Sequence, residues 1–165
     1  MWKHIAKYFK DYPRREIVAK KMLEYGLRVK GKKIYCGNIE LSDSKVARAL
    51  KIDRRSISST LDLINKNKFL MDIFSKLHPT CHLKNVASAL NWGVIEIIPS
   101  DPSKPGILAE VTGIIAKNNI SVRQAIVDDF ELTEEPRLFI ITEKSIPAKL
   151  IPKLKSINGV KSILI

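Results

Sequence analysis

The stretch from Val46 to Leu61, VARALKIDRRSISSTL, sets three arginines, a lysine and several hydroxyls on a frame of evenly spaced small and apolar residues. Arginine presents a planar fork of donors that fits a phosphate or the edge of a base, and a serine hydroxyl bonds either. The chemistry on offer is recognition of a polyanion. A second chemistry-bearing cluster is His78-Pro79-Thr80-Cys81-His82. It supplies three metal ligands at most, whereas a closed zinc site takes four. It also lacks the second cysteine of a haem-attachment pattern. We therefore expect no metal and no cofactor, and read the cluster as linker packing. No nucleophile–base pair, phosphate loop of the form GxxxxGK[ST] or carboxylate constellation occurs, so the chain is not expected to be an enzyme.

The charge supports a polyanion partner for one half only. The chain of 165 residues carries a formal charge of +12. Residues 1–90 hold 20 Lys and Arg against 8 Asp and Glu, and residues 91–165 hold 9 against 9. The whole excess therefore sits in the first half, which predicts a basic domain over 1–90 joined to a neutral domain over 91–165 with another task. No run approaches 18 apolar residues, so no membrane span or membrane partner is expected. The start, MWKHIAKYFKDYPRRE, has charges threaded through it, unlike a signal peptide. Two cysteines, Cys36 and Cys81, do not suggest a disulfide framework, which makes a reducing cytoplasm the simplest location.

The elements that must position the arginines follow from periodicity. Trp2, Ile5, Ala6 and Phe9 predict an amphipathic helix ending before Pro13, and Pro13 suits the first turn of a second helix that Gly26 stops. Short alternating segments between Leu27 and Leu41, punctuated by glycine, predict a small β-hairpin or meander. A helix is predicted from Asp43 to Leu50, with Val46, Ala47 and Leu50 facing inward and Ser42 as N-cap. After a turn at Lys51-Ile52, Asp53 caps a helix over Arg54 to Asn65 with Ile57, Leu61 and Ile64 inward. Phe69 to Leu77 and Asn85 to Leu90 suggest two further short helices.

The segment from Val46 to Leu61 resembles the helix-turn-helix of transcription regulators, with Lys51 standing where glycine is usual. The resemblance implies double-stranded DNA as partner, with the second helix in the major groove. Arg54 and Arg55 would then face guanine edges, Ser56, Ser58 and Ser59 would bond bases or phosphates, and Lys45, Arg48 and Lys51 would touch phosphates.

In the second half, Val94 to Ile98 reads as a strand and Asp101 to Gly106 as a loop. Ile107, Leu108, Val111, Ile114 and Ile115 form one helical stripe. Strands follow at Ile120 to Val127 and Arg137 to Thr142, around an acidic loop. A helix through Ile146, Leu150, Leu154 and Ile157, kinked by Pro152, precedes a last strand from Val160 to Ile165. The order βαββαβ predicts a ferredoxin-like antiparallel sheet with both helices on one face, so that the other face and the edges stay open and favour self-association. The overall class is α+β.

The residues Pro105-Gly106-Ile107-Leu108, the stripe through Val111 and Ile115, and Asn119-Ile120-Ser121-Val122 resemble an ACT domain, a small-molecule-sensing module of amino-acid metabolism. The resemblance implies an amino-acid effector bound between paired domains. It assigns Asp101, Pro105, Gly106, Ile107 and Leu108 to the binding loop, and Ile120, Val122 and Gln124 to the second strand. Free N–H groups at the helix start suit a carboxylate. Together the halves look like an archaeal-type transcriptional regulator of amino-acid metabolism: a ligand-responsive DNA-binding homodimer or higher even oligomer. The alternative is a regulatory subunit whose basic half docks on an amino-acid biosynthetic enzyme.

Overall fold

The computed structural model describes residues 1–165. The chain forms two compact units, Met1–Cys81 and His82–Ile165. The boundary therefore lies ahead of the 90/91 division expected from charge, because residues after Cys81 already pack on the second unit's sheet.

The first unit is mostly helical. Helices α1 (Trp2–Ala6) and α2 (Pro13–Glu24) precede strands β1 (Arg28–Lys30), β2 (Lys33–Cys36) and β3 (Ile39–Leu41), and helices α3 (Asp43–Ala49), α4 (Arg54–Lys66) and α5 (Lys68–Phe74) follow. The predicted first helix stops early, at Ala6, and Phe9 reaches the core from the turns beyond it. Pro13 does open α2. The small sheet is an antiparallel meander of three strands, one more than a hairpin. Helix α4 lies at the centre and packs on α2, α3 and α5. Its Ile57, Leu61 and Ile64 are buried, as are Val18 and Met22 of α2 and Leu70 and Phe74 of α5, the helices it packs on. Burial of that stripe, which repeats at the 3.6-residue period, holds the helix far more than propensity does. The meander is tied to α4 by Asn65, whose amide donates to the Gly31 carbonyl at 2.7 Å, and by Lys32–Asp62 at 3.0 Å.

The second unit contains strand β4 (Gly93–Pro99), helix α7 (Ile107–Ala116), strands β5 (Val122–Val127) and β6 (Leu138–Thr142), helix α8 (Ile151–Lys155) and strand β7 (Val160–Leu164). All pairs are antiparallel in the order β5-β6-β4-β7, which fits the ferredoxin-like plan. Ile95, Ile97, Leu138 and Ile140 pack against Val111, Ile115, Leu150 and Leu154 between sheet and helices. The long kinked helix expected through Ile146 to Ile157 is instead a 3₁₀ turn over Ala148–Leu150 followed by the five-residue α8. Pro152 has no N–H to give, so it takes the first turn of a fresh helix.

The sheet's other face does not stay fully open. Helix α6 (Lys84–Ala87) and the 3₁₀ turn Ser88–Leu90 form a strap across it. Leu83, Ala87 and Trp92 pack there on Val94, Ile126, Phe139 and Ile141. Alternation makes this inevitable: strands that send Ile95 and Ile140 to the helices send Val94 and Phe139 the other way. Apolar residues on both faces need cover on both. No helix of the chain is long and apolar enough to cross a membrane.

Candidate functional site

Two regions gather the chemistry. The first is the exposed start of α4. A four-residue turn joins it to α3, and within that turn Lys51 adopts φ 55°. An L-residue pays about 1–2 kcal/mol for the left-handed region, so the tight turn is imposed by packing around it. Ala47 is buried, and its carbonyl accepts from the Ile52 N–H at 3.0 Å. Ser42 occupies the N-cap of α3, but its hydroxyl meets that of Ser44.

Asp53 caps α4 as expected. Its carboxylate accepts from the Ser56 N–H at 2.9 Å and from the Ser56 hydroxyl at 3.0 Å. These two bonds, joined by a 2.7 Å ion pair with Arg14, hold its pKa below the usual aspartate range. Ser56 is thereby buried and committed within the cap, so its hydroxyl is not presented outward. Ser59 is half-buried and donates to the Ser56 carbonyl, while Lys45, Arg48, Lys51, Arg54, Arg55 and Ser58 are exposed.

A concavity opens between the starts of α2 and α4, with a volume of about 570 Å³. It is lined by Tyr12, Arg14, Arg15, Arg55 and Ser59, with Asp11 and Asp53. The Arg15 guanidinium lies over the Tyr12 ring, 4.0 Å from its centroid. Tyr12, Arg14 and Arg15 escaped sequence reasoning. The only signal was a Pro-Arg-Arg step at a helix start, and only the tertiary approach of α2 to α4 gives it meaning.

The second region is a cleft of about 180 Å³ at the carboxyl end of β4. Pro105, Gly106, Ile107 and Leu108 form one wall. Ile97, Val127 and Leu138 line its sheet side, and Asp128 and Pro136 its far rim. Gly106 has φ 106°, a conformation that a side chain would strain. Its carbonyl accepts from the Glu110 N–H at 3.0 Å, the first bond of α7. The N–H groups of the first turn therefore lack helical acceptors and carry the positive end of the helix dipole. Asp128 is held by the backbone of Arg137, accepting from its N–H at 3.1 Å.

Residues 102–159 match the family model of the ACT domain. The match leaves out β4, β7 and the whole first unit. No curated protein matches the chain. An ACT domain suggests regulatory binding of a small ligand, an amino acid, and such domains often dimerise.

The residues expected in the binding loop and those expected on the second strand do not meet in the chain. Pro105 to Leu108 line the cleft, while Asp101 lies outside its lining. Asp101 turns to Ser103, accepting from its hydroxyl at 2.7 Å and its N–H at 2.9 Å, which lowers its pKa. Strand register separates the rest. Val127 pairs with Leu138, which pairs with Ile97 at the cleft, whereas Val122 pairs with Thr142, opposite Gly93 at the far end. Five residues at about 3.3 Å each put Val122 some 16 Å from the cleft. Ile120 is buried in the helix-side core. Gln124 accepts the Leu83 N–H at 2.9 Å and so anchors the strap.

The strap's other anchor is ionic. The Glu96 carboxylate pairs with Lys84 at 2.6 Å and with Arg137 at 2.9 Å. Burial works against its ionisation, but the hydrogen bonds and charges of Lys84 and Arg137 prevail and its pKa lies below the usual glutamate range. His82 sets its ring edge against Phe139 at 4.8 Å, and its Nδ1 accepts from the Lys84 N–H.

Proposed function

We propose that the chain is a ligand-responsive DNA-binding regulator of amino-acid metabolism. The observation that carries this reading is the pairing, in one chain, of an ACT domain with a basic unit whose exposed arginines begin a helix. Residues 1–81 hold 19 Lys and Arg against 8 Asp and Glu, a balance suited to a polyphosphate. Helices α3 and α4, with the left-handed Lys51 between them, act as a helix-turn-helix. Arg54 at the exposed start of α4 reads a base edge in the major groove, and Lys45, Arg48 and Lys51 hold phosphates.

The effector is an amino acid with an aliphatic side chain. Its carboxylate takes the free N–H groups at the start of α7, and its side chain lies on Ile97, Val127 and Leu138. Two copies pair through the second unit, whose edge strands β5 and β7 expose Val122, Val127 and Leu164. Pairing through β5 brings the exposed Val122 of one copy toward the interface rather than into the ligand's first contacts, while Ile120 and Gln124 stay in the packing of their own chain. A two-fold dimer presents two recognition helices to half-sites about 34 Å apart. Effector binding alters that pairing, and so the affinity for DNA, by a coupling free energy between the two sites.

The test joins two measurements on the full chain. A thermal-shift screen of the twenty amino acids should find one that stabilises, by about 2.7 kcal/mol at 100 times its dissociation constant. Selection from a random duplex pool at about 0.15 M salt should yield a preferred site, with specific binding at least 10³-fold tighter than non-specific. Absence of any preferred duplex refutes the regulator. If an amino acid still stabilises the chain, the protein is a regulatory subunit acting on another protein.

A further inference from the structure

The concavity between α2 and α4 separates two arginines that sequence alone treats as equivalent. Arg55 lines it, together with Arg15, Tyr12 and Ser59, whereas Arg54 does not. We infer that this concavity is a clamp for a backbone phosphate of duplex DNA, closed by Arg15 from α2 and Arg55 from α4, and that Arg54 alone of the adjacent pair reads base edges. The assignment rests on duplex DNA being the partner of the basic unit. It adds a second element, the start of α2, to the surface that meets it.

Three features support a phosphate there. First, Arg15 is held in place before any ligand arrives. Its guanidinium is stacked on Tyr12, and a planar fork fixed by an aromatic face loses less freedom when it grips a bidentate anion. Second, the spacing of the two helices is fixed at this point. Arg14 Nη1 donates to Asp53 Oδ2 at 2.7 Å, and Asp53 is the cap of α4. The start of α2 is thus bonded to the start of α4, and Arg15 and Arg55 keep a set separation across the concavity. Third, the charge balance favours an anion. Arg14 neutralises Asp53, which leaves Arg15 and Arg55 against Asp11 alone. Arg14 is 71% exposed and uses a single donor on Asp53, so the rest of its fork is available at the rim.

The volume also fits. A space of about 570 Å³ that opens to solvent admits a phosphodiester with its sugars, and every lining residue other than Tyr12 and Pro13 carries a charge or an aliphatic hydroxyl. Contacts to phosphate position the protein without carrying sequence information, which predicts opposite behaviour for the two neighbouring arginines.

The experiment measures affinity of the full chain and its variants for a labelled duplex carrying the selected site and for one of random sequence, across a salt series. R15A and R55A should each weaken both duplexes by about five-fold at 0.15 M salt and reduce the salt slope by about one. Their site preference should be unchanged. R54A should instead reduce the preference at one base pair by ten-fold or more. Unchanged melting temperatures at half-buried Arg15 and exposed Arg54 and Arg55 show that the fold is intact. If R55A relaxes the preference as R54A does, or if R15A leaves the slope unaltered, the clamp is refuted while DNA binding stands. If the wild-type chain binds neither duplex, the clamp and the regulator reading fall together.

Discussion

Replacing Glu96 by glutamine tests whether the strap is held on the sheet by its charges. Glu96 lies on the central strand β4, its side chain 12% exposed, between the Lys84 and Arg137 cations. Glutamine keeps the shape and removes the charge. The two charge-assisted bonds become one weak acceptor contact and one donor facing a cation. Bonds to charged groups are worth about 1.5–3 kcal/mol each, but Lys84 and Arg137 are 36% and 28% exposed, and solvent takes part of that. A net loss of about 2 kcal/mol is the reasoned figure for the pair of bonds. For a unit of this size each kcal/mol moves the midpoint by about 4–8 °C, so the second unit's transition should fall by about 10 °C.

The pH dependence fixes the cause. The folded pKa of Glu96 is depressed, so the unfolded chain binds the proton more readily. The stabilisation is therefore complete above the ordinary glutamate pKa of 4.5 and is lost as pH falls through the lower folded value. Scanning calorimetry of the full chain and of E96Q should give a constant gap from pH 8 to pH 5 that narrows at lower pH. Lys84→Met should lose much of the same stability, and adding it to E96Q should cost little more. A gap below 2 °C at pH 7, or one that is the same at pH 7 and pH 3.5, would refute the ionic anchor. Strap packing would then reside in Leu83, Ala87 and Trp92 alone.

Other expectations follow from single positions. Gly26 has φ 61°, and a Cβ there would strike the backbone carbonyl of His78 and stand 2.7 Å from Pro79 N, so G26A should unfold the basic unit at growth temperature, seen as lost helical circular dichroism. Lys51→Gly relieves a left-handed lysine and should stabilise the first unit by about 0.5 kcal/mol while weakening DNA through the lost charge, two effects that chemical denaturation and salt-dependent binding measure separately. Gly106→Val puts a β-branched residue at φ 106° beside the cleft, and it should abolish the amino-acid thermal shift while leaving the first unit's melting unchanged. Leu61→Ala empties a site on the buried face of α4 and should cost about 2–5 kcal/mol by denaturant titration.

Much of this arrangement is legible in the residues. The helical stripe Ile57, Leu61, Ile64, the cap at Asp53 and the first-turn proline Pro13 are local signals, and α4 and α2 begin where they say. The order of strands and helices that leads to the ferredoxin-like sheet was likewise readable, since each element carries its own period. Errors arose where the signal was a single residue inside a longer pattern. By pattern Pro152 kinks one helix, yet in the fold it sits in the first turn of another, because the apolar positions on either side satisfy both arrangements. Residues 83–90 had no strong period, and what they cover was decided elsewhere, by Phe139 and Ile141 on the far side of the sheet.

The sequence by itself determined where the charge lies, which faces are apolar and where α2 and α4 begin, because those depend on residues within a turn or two of one another. Only the tertiary structure decided which surfaces those helices share. It placed Arg15 and Arg55 on one concavity and left Arg54 outside, although 54 and 55 are adjacent in the chain. It also put Val127, and not Val122, beside the Gly106 loop, through the register of β5 on β6 and β6 on β4. Such proximity is set by packing between distant segments, and no local pattern encodes it.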